Sequence, residues 1–411
     1  MQRREVLKLV SAASILGGVF GPKQLAHAID KKSITAITSG ASRNLFEELG
    51  IRTFINARGT ITAMTGSLMH QEVLDAIQDG AQAFCMLDEV QDKVGERIAK
   101  IVHAEAAVVT SGAFSALTLG LAGVLTGMDE YKVRQLPNLE GTGMKSEVIC
   151  QKSHDIVYNK ALTNTGCKMI MVESAEELKN AITEKTALLF FLNIEADKGQ
   201  IGHEEFVKIG KAHNIPTMID IAADVPPVSN LWRFNDMGFD LVCISGGKAM
   251  RGPQSAGILM GRKNIIDAAR LSMPPRGFNI GRGMKVNKEE VLGMYVALEK
   301  FVNQDHDATW KDWEARTAKI AKRIEKLPGI QTRVFIPKLG NVTPNLEISW
   351  KGDAFKLSGE ALAERLRKGT PSIELGEVKS NMVSLTVWMM KPGEEDIVAG
   401  RLVEELQQAK A

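Results

Sequence analysis

One stretch, residues 241–261, constrains the fold of this chain more than any other. An apolar run at 241–244 ends at Ser245-Gly246-Gly247, Lys248 follows at once, and a second apolar run covers 257–260. Two adjacent glycines let a backbone turn tightly and come close to a ligand. The pattern predicts two strands joined by a turn, with Ser245 and Lys248 at a strand end, where open α/β sheets bind their ligands.

A lysine at such a place suits Schiff-base chemistry, because desolvation lowers the pKa of its amine and leaves it nucleophilic. Upstream, Asp220 ends another apolar run at 217–219. Enzymes that use pyridoxal 5′-phosphate (PLP) need both groups, since a lysine holds the cofactor and an acid keeps its pyridine nitrogen protonated, so that the ring can accept electrons. For the Gly-Gly-Lys segment taken alone, a surface turn lysine is the alternative.

The order of these groups along the chain also carries a family resemblance. The segment Lys248-Ala-Met-Arg-Gly-Pro-Gln-Ser-Ala-Gly resembles the lysine segment of bacterial L-seryl-tRNA selenium transferase and its relatives, which include the D-glucosaminate-6-phosphate ammonia-lyase group. The similarity runs from about residue 45 to the C terminus. It implies a fold-type I PLP-dependent transferase architecture, with a mostly parallel, doubly wound α/β sheet and a smaller α/β C-terminal domain. Strands that alternate with helices from about 55 to 265 favour the same fold class.

Further residues are candidates for contacts with the cofactor. The apolar run 106–109 leads through Thr110 into a small-residue turn and a helix start, where free N–H groups and the helix dipole attract a phosphate. The resemblance implies that the PLP phosphate binds at this turn, that one histidine stacks on the pyridine ring, and that the serine before the two glycines lies beside the cofactor. The residues concerned are Ser111, Gly112, Ala113, His154 and Ser245. A helix cap at 111–113 and a structural histidine are the alternatives.

Arginines are the candidates for holding an anionic substrate, because a guanidinium binds carboxylate or phosphate through two hydrogen bonds. Arg58 lies in Asn56-Ala-Arg-Gly-Thr60, and Arg276 and Arg282 lie in a glycine- and arginine-rich loop at 274–285. The stretch 384–388 has no arginine, although many fold-type I enzymes hold the substrate carboxylate from this region. An ordinary aminotransferase site is therefore not expected. A surface position in a turn or loop is the alternative for each arginine.

The N terminus predicts export. Arg3-Arg4, an apolar stretch at 9–21 and Ala26-His-Ala28 have the form of a secretory signal, and the apolar stretch is shorter than the about 20 residues of a membrane-spanning helix. The paired arginines resemble a twin-arginine signal, although Val6 stands where phenylalanine is usual; an amphipathic helix is the alternative. That route carries folded proteins, so the cofactor would be bound before export to the periplasm.

The domain organisation follows from these segments. We expect a signal peptide at 1–28, an N-terminal arm at 29–50, a large PLP-binding domain at 51–290 and a small C-terminal domain at 291–411. With 411 residues, of which 44% are hydrophobic, the chain can bury a large core. A net charge of +2 does not indicate a surface that binds nucleic acid. The four scattered cysteines do not have the spacing of a metal site. We also expect no stable membrane anchoring.

The expected activity is that of a lyase. Lys248, displaced by the substrate amine, is within reach of the α-proton, and departure of a group from the β-carbon then yields ammonia and a 2-keto acid. The substrate would be an amino acid or an amino-sugar acid, and the resemblance implies a homodimer or a larger homo-oligomer. A racemase or an aldolase of the same fold remains open. A non-catalytic exported binding protein would be expected to have lost Lys248 or Asp220, and transfer of selenium to tRNA is not expected of an exported protein.

Overall fold

The computed structural model describes residues 43–351 and 354–410. The described residues fall into two units, which are divided between Thr53 and Phe54. In the first unit, helix α1, Leu45–Glu48, begins after Asn44, whose side chain accepts a hydrogen bond from the Glu47 N–H (3.4 Å). The predicted signal peptide at 1–28 and most of the predicted arm lie outside the described residues, so both stay predictions.

The second unit alternates strands and helices. Its strands are β1 Ile55–Ala57, β2 Ala106–Thr110, β3 Glu147–Gln151, β4 Lys168–Val172, β5 Thr186–Leu192, β6 Thr217–Asp220, β7 Leu241–Ser245, β8 Gly257–Gly261, β9 Ile330–Phe335, β10 Asn345–Trp350, β11 Ile373–Leu375, β12 Val378–Lys379 and β13 Met382–Thr386. Its helices are α2 Gln71–Ala81, α3 Leu87–Ile101, α4 Gly112–Thr126, α5 Glu130–Gln135, α6 Lys160–Thr163, α7 Ala175–Ala181, α8 His203–Ala212, α9 Asn230–Met237, α10 Lys263–Leu271, α11 Lys288–Asn303, α12 His306–Ile324, α13 Gly359–Lys368 and α14 Glu394–Gln408.

A seven-stranded sheet with the order β2-β8-β7-β6-β5-β3-β4 forms the centre of the fold. Strand β8 is antiparallel to both of its neighbours, and the other neighbouring pairs are parallel. Strand β5 is buried along its whole length and consists mostly of apolar residues, as expected for a strand covered on both faces. The predicted mostly parallel α/β sheet is confirmed. Its geometry places the carboxyl ends of β2, β3, β5, β6 and β7 along one edge.

Helices cover both faces of this sheet, which is the doubly wound arrangement. Successive residues of β2 point to opposite faces, so Val109 packs in one core and Val108 in the other. The first core takes buried side chains from α2, α3, α8, α9 and α11, and the second takes them from α4, α6 and α10. The loops at the carboxyl edge therefore extend from a rigid, fully packed layer.

The C-terminal part has its own sheet and core. Strands β12-β13-β10-β9 form a four-stranded antiparallel sheet, against which α12, α13 and α14 pack. Strand β1 lies parallel to β11, with Ile55 opposite Ile373, and Ile55 and Ala57 are buried in this C-terminal core. Residues 55–57, which we assigned to the large domain from sequence, thus pack with the small one. Among the described helices, none has both the length and the apolar character that crossing a membrane requires.

Candidate active site

The central sheet brings Asp220 and Lys248 to the same edge. Asp220 is the last residue of β6, and Lys248 follows closely on the last residue of β7, the strand paired with β6 in parallel. The Asp220 side chain is buried, and its Oδ1 accepts a hydrogen bond from the Ala222 N–H (2.8 Å). The two residues interact electrostatically. The sheet therefore assembles the acid and amine that the sequence indicated.

Burial changes the pKa of both groups. Desolvation lowers the pKa of Lys248, against the opposing effect of the carboxylates of Asp220 and Asp224. Desolvation likewise raises the pKa of Asp220, which the Ala222 N–H and Lys248 lower in part. A lysine with a lowered pKa is a better nucleophile and base at neutral pH. A cationic ring nitrogen beside Asp220 would compensate the cost of a buried carboxylate.

Close packing explains the two glycines before the lysine. A Cβ atom at Gly246 would collide with the Met294 sulfur of α11, and one at Gly247 would collide with the backbone of Gln254. The loop thus packs directly against α11 and against the backbone at Gln254, and Lys248 is the first residue after the two glycines that carries a side chain. Arg251 has a left-handed backbone (φ 53°), and its Nε donates a hydrogen bond to the Leu68 carbonyl (2.7 Å).

The turn between β2 and α4 has the form of a phosphate cradle. Gly112 has a left-handed backbone (φ 86°), and a Cβ atom at Gly257 would lie 2.6 Å from the Gly112 carbonyl carbon and 2.8 Å from the Ala113 nitrogen. The first turn of α4 carries no acidic residue, and the first N–H groups of a helix have no partner within it. The Ser111 hydroxyl donates a hydrogen bond to Ser115 Oγ (2.9 Å). Residues 111–113 thus fit a phosphate group.

His154 is fully buried in a packed environment. Its Nδ1 accepts a hydrogen bond from the Leu192 N–H (3.2 Å), and its ring lies edge-on to Phe191 with 4.6 Å between ring centroids. Burial lowers the pKa of His154 to about 4, so the ring is neutral at pH 7 and carries its proton on Nε2. Stacking on the cofactor stays a prediction, and it would require a change of neighbours because the ring has no exposed face.

The three candidate arginines occupy different environments. Arg58 is exposed, and its backbone N–H donates to Asn56 Oδ1 (3.0 Å). The Arg276 guanidinium binds both carboxylate oxygens of Asp88, each at 2.9 Å. Arg282 is exposed in the short 3-10 helix Ile280–Gly283. Binding of a substrate anion by these residues stays a prediction, and at Arg276 the anion would have to displace Asp88.

Sequence reasoning missed one acid of the site, Asp224. Only 3% of this residue is exposed, and its Oδ1 accepts a hydrogen bond from the Gly340 N–H (3.1 Å). Burial raises the pKa of Asp224 to about 6, Asp220 adds to that effect, and Asn193, the Gly340 N–H and Lys248 act against it. Its position four residues after Asp220, in the loop at the carboxyl end of the same strand, could have identified it as a site residue.

Within residues 43–351 and 354–410, the cysteines form no disulfide and the residues that commonly bind metals form no metal site. No three histidine, cysteine, aspartate or glutamate side chains in those ranges are placed to hold a metal ion. All four cysteines are free in the single chain, with Cys85 exposed and Cys150, Cys167 and Cys243 buried. Burial raises the pKa of Cys150 and Cys243, so these thiols stay protonated.

Comparison with known proteins places this site in a family context. Residues 89–342 match the family model for aminotransferase class-V. D-glucosaminate-6-phosphate ammonia lyase of Salmonella typhimurium is 27% identical over 379 residues, which cover 89% of this chain and 99% of that protein. A 5′-C-glycyluridine monooxygenase-decarboxylase of a Streptomyces species is 27% identical over 385 residues, covering 90% and 93%. The L-seryl-tRNA(Sec) selenium transferase of Aquifex aeolicus is 27% identical over 368 residues, covering 79% and 77%.

Solved structures agree with these sequence matches. The structure of a D-glucosaminate-6-phosphate ammonia-lyase matches with a TM-score of 0.79 and 26% identity, covering 90% of this chain and 99% of that one. The serine palmitoyltransferase of Sphingomonas wittichii matches with a TM-score of 0.53 and 12% identity, covering 87% and 88%. The second likeness concerns the fold alone. Together they confirm the fold-type I architecture.

Proposed function

The chain belongs to the aminotransferase class-V family and depends on PLP, and on that premise we propose that it is a lyase acting at the α-carbon of an amino acid or amino-sugar acid. The products would be ammonia and a 2-keto acid. The observation that carries the proposal is the pair of Lys248 and buried Asp220 at the carboxyl edge of the sheet. An ammonia lyase that matches nearly the whole chain, in sequence and in structure, supports it.

The residues present fit the cofactor. Lys248 would hold it, Asp220 would face its ring nitrogen, and the turn at 111–113 would bind its phosphate, with Ser245 at the adjacent end of β7. When bound, PLP supplies an electron sink that stabilises negative charge on the α-carbon of an amine substrate. The protein itself has to orient the substrate and move protons.

Lys248 is the group suited to moving the α-proton. Burial lowers the pKa of its amine, which favours the neutral form that can accept a proton from the substrate carbon. A cationic ring nitrogen beside Asp220 would favour the charged form of its carboxyl group, against the desolvation that raises its pKa. The segment at 62–66 packs on the lysine loop, because Gly66 lies against the Gly247 carbonyl and the Gln254 amide donates to the Thr62 carbonyl (3.1 Å).

A second candidate function is decarboxylation that consumes oxygen. It is favoured by a relative named as a monooxygenase-decarboxylase, which matches this chain at the same identity and over a similar length as the lyase does. Both reactions would use Lys248 and Asp220 and start from an amine substrate. Carbon dioxide release with oxygen consumption would distinguish this activity from ammonia release without oxygen.

We further propose that the protein is exported by the twin-arginine route and works as a homodimer or larger homo-oligomer. Arg3-Arg4, the apolar stretch at 9–21 and the Ala26-His-Ala28 end support export. The family resemblance supports the oligomer. The substrate anion would be held by Arg58, Arg276 or Arg282.

The first experiment is a visible absorption spectrum of the purified protein, before and after borohydride, which fixes a lysine–PLP link irreversibly. We expect a visible band that borohydride removes in the wild type, no such band in Lys248→Ala, and an unchanged band in Lys263→Ala, which alters an exposed lysine paired with Asp267. Ammonia release is then screened with amino acids and amino-sugar acids. A protein that stays colourless after incubation with PLP would instead support the binding-protein alternative.

A further inference from the structure

Asp224 is a buried acid that the proposed reaction does not yet use. It lies in the loop after β6, four positions beyond Asp220, and is 3% exposed. A carboxylate pays a large desolvation cost in such a place unless hydrogen bonds or opposite charges compensate it. The groups around Asp224 should therefore supply such hydrogen bonds and charges.

Donors from two distant segments hold the Asp224 carboxylate. The Gly340 N–H, from the loop between β9 and β10, donates to Oδ1 (3.1 Å), and the Asn193 side chain at the end of β5 donates a second hydrogen bond. Asn193 is in turn fixed by His203, whose Nε2 lies 2.7 Å from Asn193 Oδ1. Burial lowers the pKa of His203 to about 4, so this ring is neutral and donates from Nε2. The carboxylate is thus held in one orientation.

A backbone contact strengthens the same connection. The Asn341 N–H donates to the Ala223 carbonyl (2.6 Å), and the Thr60 hydroxyl donates to Asn341 Oδ1 (3.3 Å). Two successive residues of the loop, Gly340 and Asn341, therefore donate hydrogen bonds to the segment that carries Asp224. The C-terminal part of the chain thereby determines where this acid lies.

Asp224 follows β6 and Lys248 follows β7, which pairs with β6 in parallel, so both residues lie at the same edge of the sheet. The charged groups that interact with Asp224 are Asp220 and Lys248. Those that face the Lys248 amine are Asp220 and Asp224. The pocket therefore holds two carboxyl groups and one amine away from bulk water. A cation bound at Asp220 would engage that carboxylate, which leaves Asp224 as the acid available to the lysine.

We propose that Asp224 is a positioning residue for Lys248. The Asp224 carboxylate, held by Asn193 and the Gly340 N–H, stabilises the protonated form of the lysine amine. This inference rests on the proposed function, because it assigns the group that faces the ammonium after Lys248 has taken the substrate proton. Burial raises the pKa of Asp224 to about 6, which still leaves the carboxylate as the main form at neutral pH.

The test measures the proton affinity of Lys248 directly, on full-length protein freed of cofactor. The rate at which trinitrobenzenesulfonate labels Lys248, followed by peptide mass spectrometry across a range of pH, gives the midpoint of the amine titration. Since an opposite charge nearby favours the charged form, Asp224→Asn should lower that midpoint by about 1 pH unit. Asp236→Asn changes an exposed acid that contacts His103 and should leave it in place.

Two further variants keep the proposal falsifiable. Asp224→Glu retains the charge and should keep the wild-type midpoint, whereas Asp224→Ser removes the charge and replaces Asp224→Asn if that variant fails to fold by circular dichroism. An unchanged midpoint in a folded, charge-free variant, or an equal fall in Asp224→Glu, would overturn the proposal. Because the assay contains no PLP, its outcome is independent of whether the protein proves to bind that cofactor.

Discussion

Burial gives Asp220 and Lys248 a chemistry that the same residue types lack at the surface. The exposed pair Lys263 and Asp267 forms an ordinary salt bridge (2.8 Å), of a kind that contributes about 0–1 kcal/mol. Asp220 instead lies in the protein interior, where desolvation and a facing amine decide its charge. At the residue scale, function thus depends on where the sheet places a carboxyl group.

Asp220→Asn tests the charge at this position. The amide has the same shape but cannot carry a negative charge, so we expect the turnover rate to fall about a hundredfold or more, while the visible band remains because Lys248 is intact. Steady-state ammonia release measures the rate, with Asp267→Asn as the control that should retain wild-type activity. Full activity in Asp220→Asn would contradict the assigned role.

The buried histidines predict a loss of stability in acid. Burial lowers the pKa of both His154 and His203 from 6.5 to about 4. Between these values the unfolded chain binds protons that the folded protein does not, so the free energy of unfolding falls as the pH drops from 6.5 to 4. Each histidine should contribute a loss of about 2 kcal/mol by pH 5.

His154→Gln isolates one of these contributions. We expect its loss of stability between pH 7 and pH 5 to be about 2 kcal/mol smaller than that of the wild type, as measured by urea unfolding without PLP. The comparison between proteins is needed because Asp224, whose pKa is raised to about 6, has the opposite effect: as the pH falls over the same interval, its protonation in the folded protein increases the free energy of unfolding. His213→Gln, at an exposed position, should behave as the wild type, and an equal loss in all three proteins would refute the assignment.

At the element scale, the cradle depends on how closely β8 approaches the start of α4. Gly257 begins β8 beside Thr110, and the space for its Cβ atom is already taken by the backbone of Gly112 and Ala113. The strand and the helix terminus therefore form one unit, in which the antiparallel β8 supports the phosphate turn.

Gly257→Ala should weaken PLP binding. The added methyl group has to push the 112–113 backbone away, which costs about 1–3 kcal/mol for overpacking, so we expect the affinity for PLP to fall about tenfold. Titration of the visible band with PLP measures the affinity. Gly283→Ala, where the Cβ atom would meet open space, is the matched control, and equal affinities for the two variants would show that the cradle tolerates the shift.

At the scale of the whole molecule, the two parts of the second unit meet at the site. The C-terminal core receives β1 from near the start of the unit, and the loop at 340–341 holds the segment after β6. Site formation therefore depends on contacts from the C-terminal part as well as on the central sheet. A route that exports folded proteins would preserve such a site.

Replacing both Arg3 and Arg4 by lysine tests the export proposal. We expect the wild type to appear in the periplasmic fraction as a processed form that begins at Ile29, and the double variant to remain unprocessed, because lysine keeps the positive charge but not the paired arginines. Cell fractionation with intact-mass measurement reads this out. A normally processed and exported double variant would exclude the twin-arginine route.

Features of this protein that depend on neighbours along the chain could be predicted before the structure was known. An apolar run followed by Gly-Gly-Lys predicted a strand end with a reactive lysine, a second run predicted Asp220, and a small-residue turn predicted the cradle at 111–113. The structure places all of them at the carboxyl edge of one sheet. Their positions could be predicted because parallel strands joined by helices bring their carboxyl ends together whatever the loops contain. The roles of these residues stay predictions.

The contacts that these residues make with groups far away in sequence could not be predicted from local patterns. The Gly340 N–H on Asp224, Asn193 between Asp224 and His203, and β1 beside β11 join segments far apart in sequence. The pairing of Arg276 with Asp88, which occupies a guanidinium predicted to bind substrate, is of the same kind. The physical reason is that burial and partners, which set the charge of a side chain, arise from packing between elements rather than from the residue type or its neighbours in sequence.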